Sequence, residues 1–174
     1  HMVTGFIVGV GIIGLGFLTA LQVGDAFGLG PVGRGLVVMC GGAAAFFASR
    51  RIGSMADRYG TRTVLVASSA LAAVALFLLP VAPWAVAAAL VWAAAVSAGQ
   101  GIQATVNLAV INAPGGSSLI STVQAFRFFG SAAAPVLFLP VYLGIGPAAF
   151  WVAAAALLLA AALQWINPQR MAPS

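Results

Sequence analysis

The chain has 174 residues, of which 63% are hydrophobic and 5% charged, with a mean hydropathy of +1.12 and a formal net charge of +5. A soluble domain carries about 25% charged residues to wet its surface, so this composition excludes one and leaves lipid as the solvent. Seven arginines set against Asp25 and Asp57 are too few and too scattered to build a basic groove, which excludes a nucleic-acid binder.

His1 and Met2 read as the remnant of a cleaved tag. A bilayer core of about 30 Å takes about 20 helical residues per crossing, and six apolar runs approach that length after residue 3. They lie near 3–23, 33–52, 63–79, 84–111, 119–143 and 147–166, followed by a short tail at 169–174. The links are tight and rich in glycine and proline: Gly28-Leu29-Gly30-Pro31, Pro80-Val81-Ala82-Pro83, Ala113-Pro114-Gly115-Gly116 and Gly144-Ile145-Gly146-Pro147. Continuous apolar runs without alternation exclude a transmembrane β-barrel. The expected fold class is therefore all-α integral membrane, with six transmembrane helices.

Arg50, Arg51, Arg58 and Arg62 crowd the connection between the second and third runs, and Arg170 follows the sixth, whereas Arg34 is alone on the opposite side. Positive charge stays in the cytoplasm, so both termini are expected there. Trp84, Tyr142 and Trp165 stand at predicted helix ends, the level that amphipathic rings favour. The single cysteine, Cys40, lies in an apolar run and reads as a small buried thiol; with no second cysteine there is neither a disulfide framework nor a thiolate metal site. No nucleophile–base pair, metal cluster or phosphate loop is present, so neither enzymatic catalysis nor a cofactor is expected. The absence of lysine beside abundant alanine points to a GC-rich bacterial genome.

Two runs share a pattern of small residues: Cys40-Gly41-Gly42-Ala43-Ala44-Ala45 in the second and Phe129-Gly130-Ser131-Ala132-Ala133-Ala134 in the fifth. These are equivalent positions in two units of three helices. An odd number of crossings makes the second unit enter from the other side, which predicts a 3+3 inverted repeat.

The most informative stretch is Gly53-Ser54-Met55-Ala56-Asp57-Arg58-Tyr59-Gly60-Thr61-Arg62, read as the loop after the second helix. Gly60 suits a turn with positive φ, Gly53 a close helix approach, and Asp57 a helix N-terminus. The stretch resembles the signature loop of the major facilitator superfamily of transporters, in pattern and in position. Met55 and Thr61 depart from that pattern, standing where a leucine and the first of two basic residues are usual. The fifth run, Arg127-Phe128-Phe129-Gly130-Ser131-Ala132-Ala133-Ala134-Pro135, resembles the eleventh helix of bacterial members. The fourth lacks an arginine ahead of Val96-Ser97-Ala98-Gly99-Gln100-Gly101, which favours a C-terminal half.

The resemblance covers residues 3–168 and implies one six-helix half of a secondary transporter in a bacterial inner membrane. Such a protein moves a small organic solute or drug, as in efflux, by alternating access. It implies a gate latch built from Gly53, Asp57, Arg58, Gly60 and Arg62. It also implies that helices one and four line the cavity, that two and five meet the other half or a second copy, and that three and six face lipid. Polar residues sit accordingly at Thr19, Gln22 and Asp25, and at Ser97, Gln100, Gln103 and Asn107; polar side chains are costly against lipid, so these faces should look inward. Thr19, Gln22, Gln100, Gln103, Asn107 and Arg127 are the candidate cavity residues. Arg127 is the one ionisable group deep in a span, where a charge costs about 2.5–3.5 kcal/mol on the insertion scale and therefore needs a partner or water. Two other readings stand beside this one: a natural half-size subunit that transports as a homodimer, and a membrane scaffold that transports nothing.

Overall fold

The computed structural model describes residues 9–112 and 116–166, and these are helical almost throughout, with no strand among them. His1, Met2, residues 3–8, 113–115 and the tail with Arg170 lie outside the described residues. Helix α1 runs Gly9–Phe27 and begins as a π-helical segment, Gly9–Ile13. Helix α2 is Pro31–Tyr59, α3 is Thr61–Leu78 with a 3-10 extension Leu79–Val81, and α4 is Ala85–Ile111. Helix α5, Gly116–Ile145, is joined by a 3-10 turn, Gly146–Ala148, to α6, Ala149–Ile166.

Among the described residues five runs are long and apolar enough to cross a bilayer: Gly9–Phe27, Pro31–Tyr59, Thr61–Val81, Ala85–Ile111 and Leu119–Leu159. Helices of this kind mark a membrane-spanning protein. The last run contains both α5 and α6, and the packing shows that the chain folds back between them. Tyr142 of α5 lies against Gln22 and Asp25 of α1. Fifteen residues on, Leu157 of α6 lies against Gly11, near the other end of α1.

Why these elements form follows from residue type. Pro31 opens α2 at a position where its missing N–H costs nothing, and Ala82, held extended by the following Pro83, stops any helix running from α3 into α4. The 53–62 stretch, expected as a loop, is helical as far as Tyr59. Met55, Ala56 and Arg58 are good helix formers, so the whole reversal falls on Gly60, whose φ of +84° is open to glycine and strained for other residues. Arg34 likewise belongs to the first turn of α2 rather than to a link. Its Nε donates to the Leu29 carbonyl at 2.7 Å, and its guanidinium lies over Gly24 of α1.

The core is a web of small residues around a few large ones. Trp92 of α4 is 2% exposed and sits where three helices meet, with Gly16 of α1 and Gly41 of α2 against its ring and its Nε1 donating to the Val38 carbonyl at 3.4 Å. Trp151 of α6 stacks on Phe77 of α3 with centroids 5.3 Å apart, and its Nε1 donates to the Phe77 carbonyl.

Helices α1 and α5 approach closely. A side chain at Gly9 would run into the Arg127 carbonyl, and one at Gly14 into the Ala134 methyl. The π segment belongs to this contact: Gly14 N–H bonds the Gly9 carbonyl five residues back at 2.8 Å, which widens the turn where it meets α5. Gly14→Val should therefore force the two backbones apart and cost about 1–3 kcal/mol. A thermal midpoint in detergent equal to wild type would contradict that packing.

Two helices leave long apolar faces uncovered. Along α2, Val37, Gly41 and Ala45 turn inward, while Leu36, Met39, Gly42, Ala43, Phe46 and Phe47 are exposed. Cys40, expected as a buried thiol, is on that exposed face. Along α5, Val123, Gly130, Ala134, Phe138 and Tyr142 face inward and Phe126, Phe128, Phe129, Val136 and Leu137 outward. The small residues of both helices thus divide between the interior and the surface, as one helix cannot turn them all to one side.

Candidate functional site

The strongest polar constellation lies half-buried between α4 and α5, with Gln103 its one fully buried member. Gln103 and Asn107 are one helical turn apart on α4, so both amides reach the same side, and Gln103 Nε2 donates to Asn107 Oδ1 at 2.9 Å. Across the interface stands Gln124 of α5: Gln103 Nε2 donates to its Oε1 at 3.3 Å, and its own Nε2 donates to Asn107 Oδ1 at 3.3 Å. Three residues on, Arg127 donates through one terminal nitrogen to Gln124 Oε1 at 3.0 Å. The guanidinium also lies over the Phe128 ring at 5.3 Å, while its Nε is buried with no partner among the described residues. Its neighbours are therefore neutral amides and a ring, and the positive charge is not cancelled where it sits.

A second cluster joins α1 to α5 near the opposite end. The Tyr142 hydroxyl lies 3.2 Å from Gln22 Oε1 and 3.1 Å from Asp25 Oδ2, and its single proton is shared between these two acceptors. Gln22 and Tyr142 are buried and Asp25 is exposed. Thr19, one turn back on α1, is fully buried and donates to the Leu15 carbonyl at 3.0 Å, a bond that satisfies the hydroxyl within its own helix.

The expected cavity residues are thus distributed as follows. Gln103, Asn107 and Arg127 are brought together, Gln100 is half-buried a turn away on α4, and Gln22 and Thr19 belong to the α1 cluster. Gln124 links the first group and is absent from the candidates drawn from sequence. It could have been found from its spacing, since it stands three residues before Arg127 and on the same face. Tyr142 was also missed as a site residue, because its place near a helix end reads as an interfacial anchor.

The latch candidates occupy the α2–α3 corner. Gly53, Asp57, Arg58 and Gly60 are exposed and Arg62 half-buried. A Cβ placed on Gly53 would meet nothing within 4 Å, and the N-cap of α3 is Gly60 itself. Arg58 lies over the Tyr59 ring at 5.4 Å. Among the described residues no group of histidine, cysteine and acidic side chains has the makings of a metal site.

Searches for similar proteins return nothing: no family model, no curated protein and no solved structure matches the chain.

Proposed function

We propose that the chain is one six-helix half of a membrane transporter, resembling the C-terminal half of a major facilitator, that moves a small organic solute by alternating access. The observation that carries this reading is the α4–α5 network of Gln103, Asn107, Gln124 and Arg127. Four polar side chains within the apolar length of two helices are expensive in lipid. Amides gain only about 0.6 kcal/mol per interhelical contact there, too little to account for a half-buried guanidinium lacking a carboxylate partner among the described residues. A water-accessible path with a polar or anionic solute does account for it.

The packing supports the same reading. Helix α2 packs on α4 as α5 packs on α1, and α3 lies on α6. Exchanging helices one to three with four to six maps each of these pairs onto another or onto itself, as an inverted repeat would, although the extensive α3–α4 contact has only a slight α6–α1 counterpart among the described residues. Six crossings then leave both termini on the arginine-rich side, which is the cytoplasm. The exposed faces of α2 and α5 are where the other half, or a second copy, would sit, because packing rather than hydrophobicity joins helices in lipid.

Transport and pairing are tested together in proteoliposomes. Solute flux above that of protein-free vesicles is expected once the chain is paired, with itself or with the other half, and Asp57→Asn should slow that flux several-fold without changing membrane insertion. Since Cys40 is the single cysteine and faces outward on α2, copper-catalysed oxidation should link two copies if the half pairs with itself. A broad solute panel showing no flux, with or without disulfide dimers, would leave a membrane scaffold as the better description.

A further inference from the structure

A cleft of about 560 Å³ opens on the outer surface of α2, α3 and α4, away from both polar clusters. Its walls include Ala44, Phe47 and Arg51 of α2 and Leu71 of α3, and its floor carries two hydroxyls, Ser68 of α3 and Ser97 of α4. This volume falls in the range of about 300–1,000 Å³ seen for small-molecule sites. The floor is held low by Gly101, which lets α4 lie directly against Ser68; a side chain there would overlap the Ser68 hydroxyl.

Depth and charge select the occupant. Helix α2 has 29 residues, about 44 Å at 1.5 Å per residue, whereas the hydrocarbon core spans about 30 Å. Counted from Pro31, α2 leaves that core about 20 residues on, near Arg50 and Arg51. From Arg51 the cleft descends to Ala44, about 10 Å into the hydrocarbon. Ser68 stands level with the top of this descent, since Gly101 meets both Ser68 and Ile52. Arg50, Arg51, Arg58 and Arg62 occupy this end with Asp57 as the single acid. The cleft is therefore cationic at the headgroup level and apolar below it, the polarity of a lipid.

We propose that this cleft holds one acyl chain of an anionic phospholipid, with the headgroup phosphate paired to Arg51 and the ester region beside Ser68. A guanidinium suits this role because its planar fork bonds two phosphate oxygens at once. A bound lipid of this kind wedges α2 against α3 and makes the geometry of the α2–α3 corner depend on membrane composition. The site requires only that the chain spans a membrane and is independent of transport.

Native mass spectrometry of delipidated protein tests it, with phosphatidylglycerol and phosphatidylcholine of identical acyl chains as probes. Phosphatidylglycerol should bind about fivefold tighter, the worth of one well-placed arginine at an anionic surface. Arg51→Gln should abolish that preference, while Arg50→Gln, next to the cleft but not lining it, should keep it. Ala44→Phe, or Leu71→Trp from the exposed side should the former fail to fold, should weaken both lipids. Equal loss from the two arginine variants would reduce the effect to diffuse surface charge and overturn the site. So would indifference to both groove-filling variants, equal binding of the two lipids, or a disulfide dimer formed by Met55→Cys in a Cys40→Ser background, which would seat a second copy there.

Discussion

Trp92→Ala should cost about 3–5 kcal/mol, the range for truncating a large aromatic in a packed interior, and lower the thermal midpoint in detergent more than any other single substitution considered. The ring fills the junction of α1, α2 and α4, and two of the residues against it, Gly16 and Gly41, have no side chains with which to fill the void. Removing it also leaves the Val38 carbonyl without the indole donor, although that carbonyl keeps its place in the helix. Gly41 could not be enlarged to compensate in the wild type, because a Cβ there would come within 2.6 Å of Trp92 Nε1. The double variant Trp92→Ala with Gly41→Leu should recover part of the loss, and unchanged stability of the single variant would remove Trp92 from the centre of the fold.

Arg127→Leu should reduce solute transport by about tenfold to a hundredfold, the equivalent of losing a charged hydrogen bond to the solute of about 1.5–3 kcal/mol. Defective insertion is not an available explanation, since replacing a mid-span arginine with leucine favours insertion by about 3 kcal/mol. Nor should the α4–α5 contact collapse, because Gln124 retains its bonds to Gln103 and Asn107. Arg127→Lys keeps the charge without the planar fork and should restore part of the rate. Full transport by Arg127→Leu, or a large fall in thermal midpoint without a specific loss of flux, would make the residue a structural tie between helices.

Much of the helical framework was legible in the sequence, for reasons that residues make plain. Hydropathy located the runs because lipid tolerates so few polar groups, and the Gly60 turn was legible because little else in the 53–62 stretch can reverse a chain. Gln103 and Asn107 declared themselves by i,i+4 spacing. Their tie to Gln124 did not, since it depends on how α4 and α5 cross. The same holds for Gly9 and Gly14: among 21 glycines, periodicity does not say which ones meet a neighbouring backbone. Residues 53–59 were assigned to a loop because charge ends an apolar run, although a helix need not end where its apolar character does.

The joint at Gly60 has a mechanical meaning. One residue of turn between two long helices leaves no slack, so α2 and α3 swing as a bent lever rather than as independent rods. A tilt of α2 of about 5° around its midpoint moves its Gly60 end by about 2 Å, taking half its length of about 22 Å as the arm. That displacement passes into the first turn of α3 undiminished, since Thr61 follows at once. From there it reaches α4 through Ser68 and Gly101. Movement begun at the membrane surface is in this way delivered to the same helix that carries Gln103 and Asn107.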